Sequence, residues 1–148
     1  MIITICGSMQ FYQEMRSAKA SLEALGHTVY VPKGLVDEVP IEARKDLSVE
    51  EVISAKIEYD FIREHFRLIE GSDAILVLNY DKNGMPNYIG GNTFLEMGHA
   101  FGLGKKIFLL HPIPEMDYKT EMHAMQPVVI EGDLTKIVDE ITKAHPKV

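Results

Sequence analysis

Glu96 stands in the run Tyr88-Ile-Gly-Gly-Asn-Thr-Phe-Leu-Glu-Met-Gly98, where two glycines precede a helical pattern and apolar residues flank the acid. A carboxyl among Phe94, Leu95, Met97 and Gly98 is costly to hold unless it faces a polar crevice or finds a partner. The positive end of a helix macrodipole favours the ionised form near a helix start. An ionised carboxylate aimed into a crevice is therefore expected, and such groups mark functional sites. The alternative is a first-turn glutamate that satisfies only the dipole; the glycines and apolar neighbours weigh against it.

Cys6-Gly7-Ser8-Met9-Gln10 forms a second candidate at the junction of an apolar run and a helical pattern. Glycine lets a ligand approach the backbone, while Ser8 and free amides at a helix start can bind an oxyanion. Taken alone, the same loop reads as an ordinary turn with Ser8 as cap, and it lacks the G-x-G-x-x-G dinucleotide fingerprint. The third candidate is the stretch 111–125, which carries His111, His123 and the methionines 116, 122 and 125. It reads either as a surface loop on the core or as an adaptable apolar arm that closes a neighbouring pocket. The six histidines (27, 65, 99, 111, 123 and 145) show no ligand spacing such as H-E-x-x-H, so neither a metal site nor a cofactor is expected.

The elements that must position these residues alternate along the chain. Residues 2–6 and 28–31 read as strands, the second ended by Pro32, and 9–25 as a helix with Met15, Ala18, Leu22 and Leu25 on one side. Residues 33–47 have no period and read as a loop that covers the pocket. Ser48 with Glu51 is a capping box. The helix it opens is expected to run to about Glu70, with Val52, Ile53, Ile57, Phe61, Phe66 and Ile69 facing inward. Residues 74–78 are apolar throughout, as a central parallel strand covered on both faces should be. Asn92 is expected to cap a helix ending at Gly104, residues 107–110 and 127–130 to form two more strands, and Asp133 to cap a last helix carrying Leu134, Ile137, Val138 and Ile141. This order implies a three-layer α/β fold: a five-stranded parallel sheet of flavodoxin or Rossmann-like type with helices on both faces. A crevice outside the strand ends would then gather Gly7-Ser8, residues 79–96 and 111–125.

A chain of 148 residues with 46% apolar composition suits one domain spanning 1–148. Its net charge of −7 argues against a nucleic-acid polymer as partner. One cysteine excludes an internal disulfide, and Cys6 is expected as a buried, inert thiol. No apolar stretch approaches a membrane span and no secretory signal is visible, so a cytoplasmic protein without membrane contact is expected.

At Cys6-Gly7-Ser8, the strand after Ser72-Asp73, the run from Gly90 to Gly98, Gly104-Lys105-Lys106 and His123-Ala124-Met125, the sequence resembles the nucleoside 2-deoxyribosyltransferase family, including its 2′-deoxynucleoside 5′-phosphate N-hydrolase relatives. The resemblance implies a small-molecule nucleoside or nucleotide as ligand and Glu96 as nucleophile at the anomeric carbon. A glycosyl-enzyme ester then passes to another base or to water. The family's acid position falls on His65, which can donate a proton to the departing base; Asp60 and Glu64 are the alternatives. Substrate contacts are implied for Gly7, Ser8, Met9, Gln10, Gly90, Gly91 and Asn92. His123 and Met125 are expected to reach in from an adjacent subunit, which implies a homodimer or higher homo-oligomer. Thr4 stands where family members carry a tyrosine, and Met9, Gln10 and Phe11 stand where the N-hydrolases carry arginines. A phosphate would then rest on amides and Ser8, which favours a nucleoside as ligand. The competing reading is a non-catalytic nucleotide- or nucleoside-binding module, favoured by Thr4 and His65.

Overall fold

The first apolar run becomes β1 (Ile2–Gly7), whose four central residues are buried. It pairs with β2 (Thr28–Tyr30) on one side and β3 (Ala74–Leu78) on the other, and β4 (Lys106–Leu109) and β5 (Val128–Val129) extend the sheet beyond β3. The order is β2-β1-β3-β4-β5, with every neighbouring pair parallel. The computed structural model describes residues 1–36 and 39–137. Val138 and Ile141, expected on the last helix, and His145 lie outside the described residues.

β3 is buried at all five positions because helices cover both faces of the sheet. On one face Ile3, Ile5, Leu76 and Phe108 pack with Met15, Ala18 and Leu22 of α1 (Tyr12–Ala24). On the other, Cys6, Ile75, Val77 and Leu109 pack with Ile69 of α3 (Phe61–Glu70), Met97 and Ala100 of α4 (Gly91–Gly102), and Met122 of α5 (Lys119–Ala124). This is the expected three-layer arrangement. Strand order reverses between β1 and β3, so the crevice lies beyond their carboxyl ends. Gly7 is required there: its φ is +153°, and a Cβ would lie 3.0 Å from the Leu78 carbonyl oxygen.

Several local expectations give way to tertiary geometry. The helix from Ser48 keeps its capping box but breaks at Asp60, which adopts a left-handed conformation and divides α2 (Val49–Tyr59) from α3. Ile53 and Ile57 do not face inward; they are 51% and 76% exposed, and Ala55 is the residue that α2 buries. The first helix opens with a 3-10 turn, Met9–Phe11, and the pocket-side loop contains two more, Lys33–Val36 and Ile41–Ala43. β4 and β5 start and end within two residues of the expected positions. α4 is capped at Gly90 rather than Asn92, with Gly104 at φ +73° just past its end. Leu95 and Phe101 on this helix are exposed.

Asn79, fully buried at the end of β3, ties the crevice floor together. Its Nδ2 donates to the carbonyls of His111 (2.9 Å) and Pro112 (3.1 Å), and its Oδ1 accepts from the His111 N–H (2.9 Å). Asn79→Ala removes the partner of three part-buried backbone groups, and urea unfolding should show a loss of about 2 kcal/mol.

Candidate active site

Two walls meet over the ends of β1 and β3. Ser8 forms the first: its Oγ accepts from the Gln10 N–H at 3.2 Å, capping the 3-10 turn, and from Lys82 Nζ at 3.0 Å. Lys82 also sits over the Tyr88 ring, 4.8 Å from its centroid, and burial lowers its pKa from the usual lysine value. The opposite wall is the start of α4. A Cβ on Gly90 would come within 2.8 Å of the Tyr88 hydroxyl, so the glycine leaves room for that ring. Between the walls lies a cleft of about 250 Å³ bordered by Gly7, Ser8, Met9 and Gln10, by Gly90, Gly91, Asn92 and Thr93, and by Glu42, Val52 and Lys56. Tyr118 braces the glycine segment from behind by donating to the Ile89 carbonyl at 2.5 Å.

A small pocket of about 20 Å³ adjoins this cleft, sharing Gly7, Met9, Glu42 and Asn92 with it. Pro32, Lys33 and Gly34 also border it, so the segment after β2 does cover the site. Its inner wall carries His65 and Glu96, 3% and 5% exposed. His65 Nε2 lies 3.7 Å from Glu96 Oε2 and 3.5 Å from the Cys6 thiol. Three elements converge here: Cys6 lies one residue before the end of β1, His65 midway along α3, and Glu96 midway along α4. His65 and Phe66 fall on α3's inner side, where Phe66 stacks on His99 of α4 at 4.2 Å and holds the two helices together.

Burial sets the protonation of this cluster. It pushes the Glu96 carboxyl up to about 8, with nearby Glu42 adding to the rise and the Cys6 thiol and Lys56 opposing it. It pulls His65 down to about 4, while the Ile5 carbonyl acts the other way without reaching hydrogen-bond geometry at Nδ1, which has no partner among the described residues. The Cys6 thiol is raised well above its usual range by burial and by Glu96. At neutral pH all three are therefore uncharged. The expectation of an ionised Glu96 is corrected: the cap at Gly90 moves Glu96 into the second turn of α4, where the helix dipole is weak and desolvation wins.

Of the three candidate proton donors, the structure brings only His65 to Glu96. Asp60 pairs with Arg63 at 3.0 Å and Glu64 pairs with Arg67, and neither borders the cleft. Gly7, Ser8, Met9, Gln10, Gly90, Gly91 and Asn92 all line it. His123 and Met125 do not line the cleft of their own chain; His123 is exposed on α5, and Met125 packs on the core. Met122, read as part of an adaptable arm, is fully buried in that core. Thr4 is also buried, bonding the Ser72 hydroxyl at 2.5 Å and the Leu68 carbonyl at 3.3 Å.

Sequence reasoning named Tyr88 only as the start of the glycine run and missed Glu42, Lys56 and Lys82. Lys82 and Tyr88 fall within the polar stretch after β3, so their region was visible but their roles were not. Glu42 and Lys56, paired at 3.3 Å, come from the loop and α2 and share no spacing that could announce them.

No protein-family model matches this sequence, and no curated protein matches it. Among solved structures the chain is similar to a 2-deoxyribosyltransferase from the psychrotolerant bacterium Bacillus psychrosaccharolyticus. The TM-score is 0.50 at 20% identity, over 74% of this chain and 71% of that one. No helix among the described residues is long and apolar enough to cross a membrane. At that identity the likeness speaks to architecture: this chain has an α/β fold, a five-stranded parallel sheet with helices on both faces, consistent with that of a 2-deoxyribosyltransferase.

Proposed function

We propose that the cleft binds a nucleoside or nucleoside 5′-monophosphate and that Glu96 cleaves or transfers its N-glycosidic bond. The observation that carries this reading is one buried carboxyl, 3.7 Å from a neutral imidazole, on the inner wall of a pocket that opens beside a polar cleft. A carboxyl held neutral is not yet a nucleophile, and His65 supplies the missing step. As the substrate's C1′ approaches, the Glu96 proton passes to His65 Nε2. The resting values of about 8 and about 4 make this transfer uphill by roughly 5 kcal/mol, which the positive charge developing at C1′ must offset. The carboxylate forms its bond to C1′ while the C1′–N bond breaks, and the imidazolium returns the proton to the departing base. Water or a second base then cleaves the ester with retention. The proton that burial keeps on Glu96 is thus the proton the leaving group needs.

The 5′ end of the ligand meets Ser8 and Lys82 in this reading. Lys82 stands in for the arginines that the first loop lacks, so a monophosphate fits better than the first loop alone suggests. Lys82→Met should weaken monophosphate binding about 10-fold and leave nucleoside binding unchanged, as measured by calorimetric titration of both. The test of the whole reading is incubation with deoxynucleosides and their 5′-monophosphates, followed by chromatography for free base. Release of base supports it. Binding without release supports the second reading, a non-catalytic nucleotide-binding module, which the uncharged state of Glu96 favours.

A further inference from the structure

We infer that Cys6, His65 and Glu96 form a binding site for one zinc-class divalent cation. The inference stands apart from glycosyl transfer, because it rests on the donor atoms and their spacing. Tetrahedral zinc holds sulfur at ~2.3 Å and nitrogen or oxygen at ~2.0 Å, which sets neighbouring donors ~3.3–3.6 Å apart. Here Cys6 Sγ to His65 Nε2 is 3.5 Å, and His65 Nε2 to Glu96 Oε2 is 3.7 Å. All three donor atoms lie within 4.8 Å of one another. Two sides of the donor triangle already match that spacing, and the third, Cys6 to Glu96, has an upper bound of 4.8 Å and must close toward ~3.5 Å as the metal binds.

The chemistry of the set agrees with its geometry. A thiolate with an imidazole selects zinc and its soft neighbours over magnesium or calcium, which require oxygen. Thiolate and carboxylate together carry two negative charges, so the complex with a divalent cation is neutral, as a buried site demands. Binding displaces one proton from sulfur and one from the carboxyl, and both leave to solvent. Among the described residues His65 Nδ1 is buried without a hydrogen-bond partner, and the Ile5 carbonyl is an acceptor for it once the ring shifts toward a metal. His65 and Glu96 border the pocket of about 20 Å³, which exceeds the ~10–15 Å³ that one water requires and so leaves room for a water to complete the set. Three protein ligands with one open position is the arrangement of a reactive zinc site rather than a closed structural one.

Occupancy by metal excludes Glu96 from attack on a sugar, so the two uses of the cluster are exclusive. The full chain, reduced and stripped with chelator, is titrated with Co²⁺. One equivalent should produce a thiolate-to-cobalt charge-transfer band with the intense visible bands of tetrahedral cobalt, and one equivalent of Zn²⁺ should bleach both. Two protons should be released per metal in weakly buffered solution, a readout that depends on no variant. Cys6→Ser should lose the charge-transfer band, and His65→Ala should weaken binding at least ~10-fold. A wild-type chain without the band or proton release, or a band that survives Cys6→Ser, overturns the inference. Base release, if present, should stop with one equivalent of Zn²⁺ and return with chelator. Base release in a chain that binds no metal sinks the metal site alone; metal binding without base release in the stripped chain sinks the glycosyl reading alone.

Discussion

Glu96→Gln is expected to lower base release from a nucleoside or nucleoside monophosphate by at least ~10³-fold, with little change in substrate affinity. The amide keeps the size and the neutral charge that Glu96 has in the resting pocket, so the cleft and its contacts persist. What it loses is the proton that can pass to His65 and the carboxylate that bonds to C1′. Loss of turnover with retained binding is the signature of a group that acts in the transition state rather than the ground state. The measurement is initial-rate kinetics in chelator, with binding followed by thermal shift. Wild-type turnover in Glu96→Gln would remove the nucleophile from the proposed chemistry.

The same substitution should stabilise the protein at alkaline pH. Burial moves Glu96 from 4.5 to about 8, so the folded state holds a proton that the unfolded state gives up. Its contribution is fully present below pH 4.5 and is lost as pH rises through 8. His65 runs the other way: lowered from 6.5 to about 4, it disfavours the folded state as pH falls below 6.5. Between pH 4.5 and 6.5 the Glu96 and His65 slopes oppose each other, one proton each, while His27, also lowered by burial, adds to the rise with pH on the His65 side. From pH 6.5 to 8 Glu96 acts alone, and at ~1.4 kcal/mol per unit the protein should lose about 2 kcal/mol. Glu96→Gln should abolish that decline and stand on the order of 4 kcal/mol above wild type at pH 8. Urea unfolding in chelator across this range reads both curves. Constant wild-type stability from pH 6.5 to 8 would mean that the buried carboxyl is already ionised in the folded chain. A residue that destabilises the fold while equipping the cleft is a common trade between stability and activity.

These two effects pull in opposite directions because Glu96 sits where desolvation, not the helix dipole, decides its charge. That outcome turned on two residues of register. An α4 capped at Asn92 would put Glu96 in the first turn and the dipole's reach; the cap at Gly90 places it beyond.

Much of the architecture was legible in residue pattern alone. The fully apolar run 74–78 could only be a covered central strand, and the alternation of strand and helix signals implied the parallel sheet that β2-β1-β3-β4-β5 displays. Gly7, Ser8, Gly90, Gly91 and Glu96 could be picked out because glycine pairs, caps and acids in apolar surroundings are local signals. Periodicity failed on α2, where Ile53 and Ile57 follow a helical spacing yet face outward. Spacing says that residues share a side of a helix, not which side meets the core.

What the chain alone determined, then, was the layering of the fold and the loops that border the cleft, because both depend on neighbours in sequence. Tertiary structure decided the chemistry. Cys6, His65 and Glu96 are brought within 4.8 Å from β1, α3 and α4, and Lys82 reaches Ser8 across 74 positions. Their protonation follows from a desolvation that exists only once those elements pack, and no local pattern encodes the dielectric around a side chain.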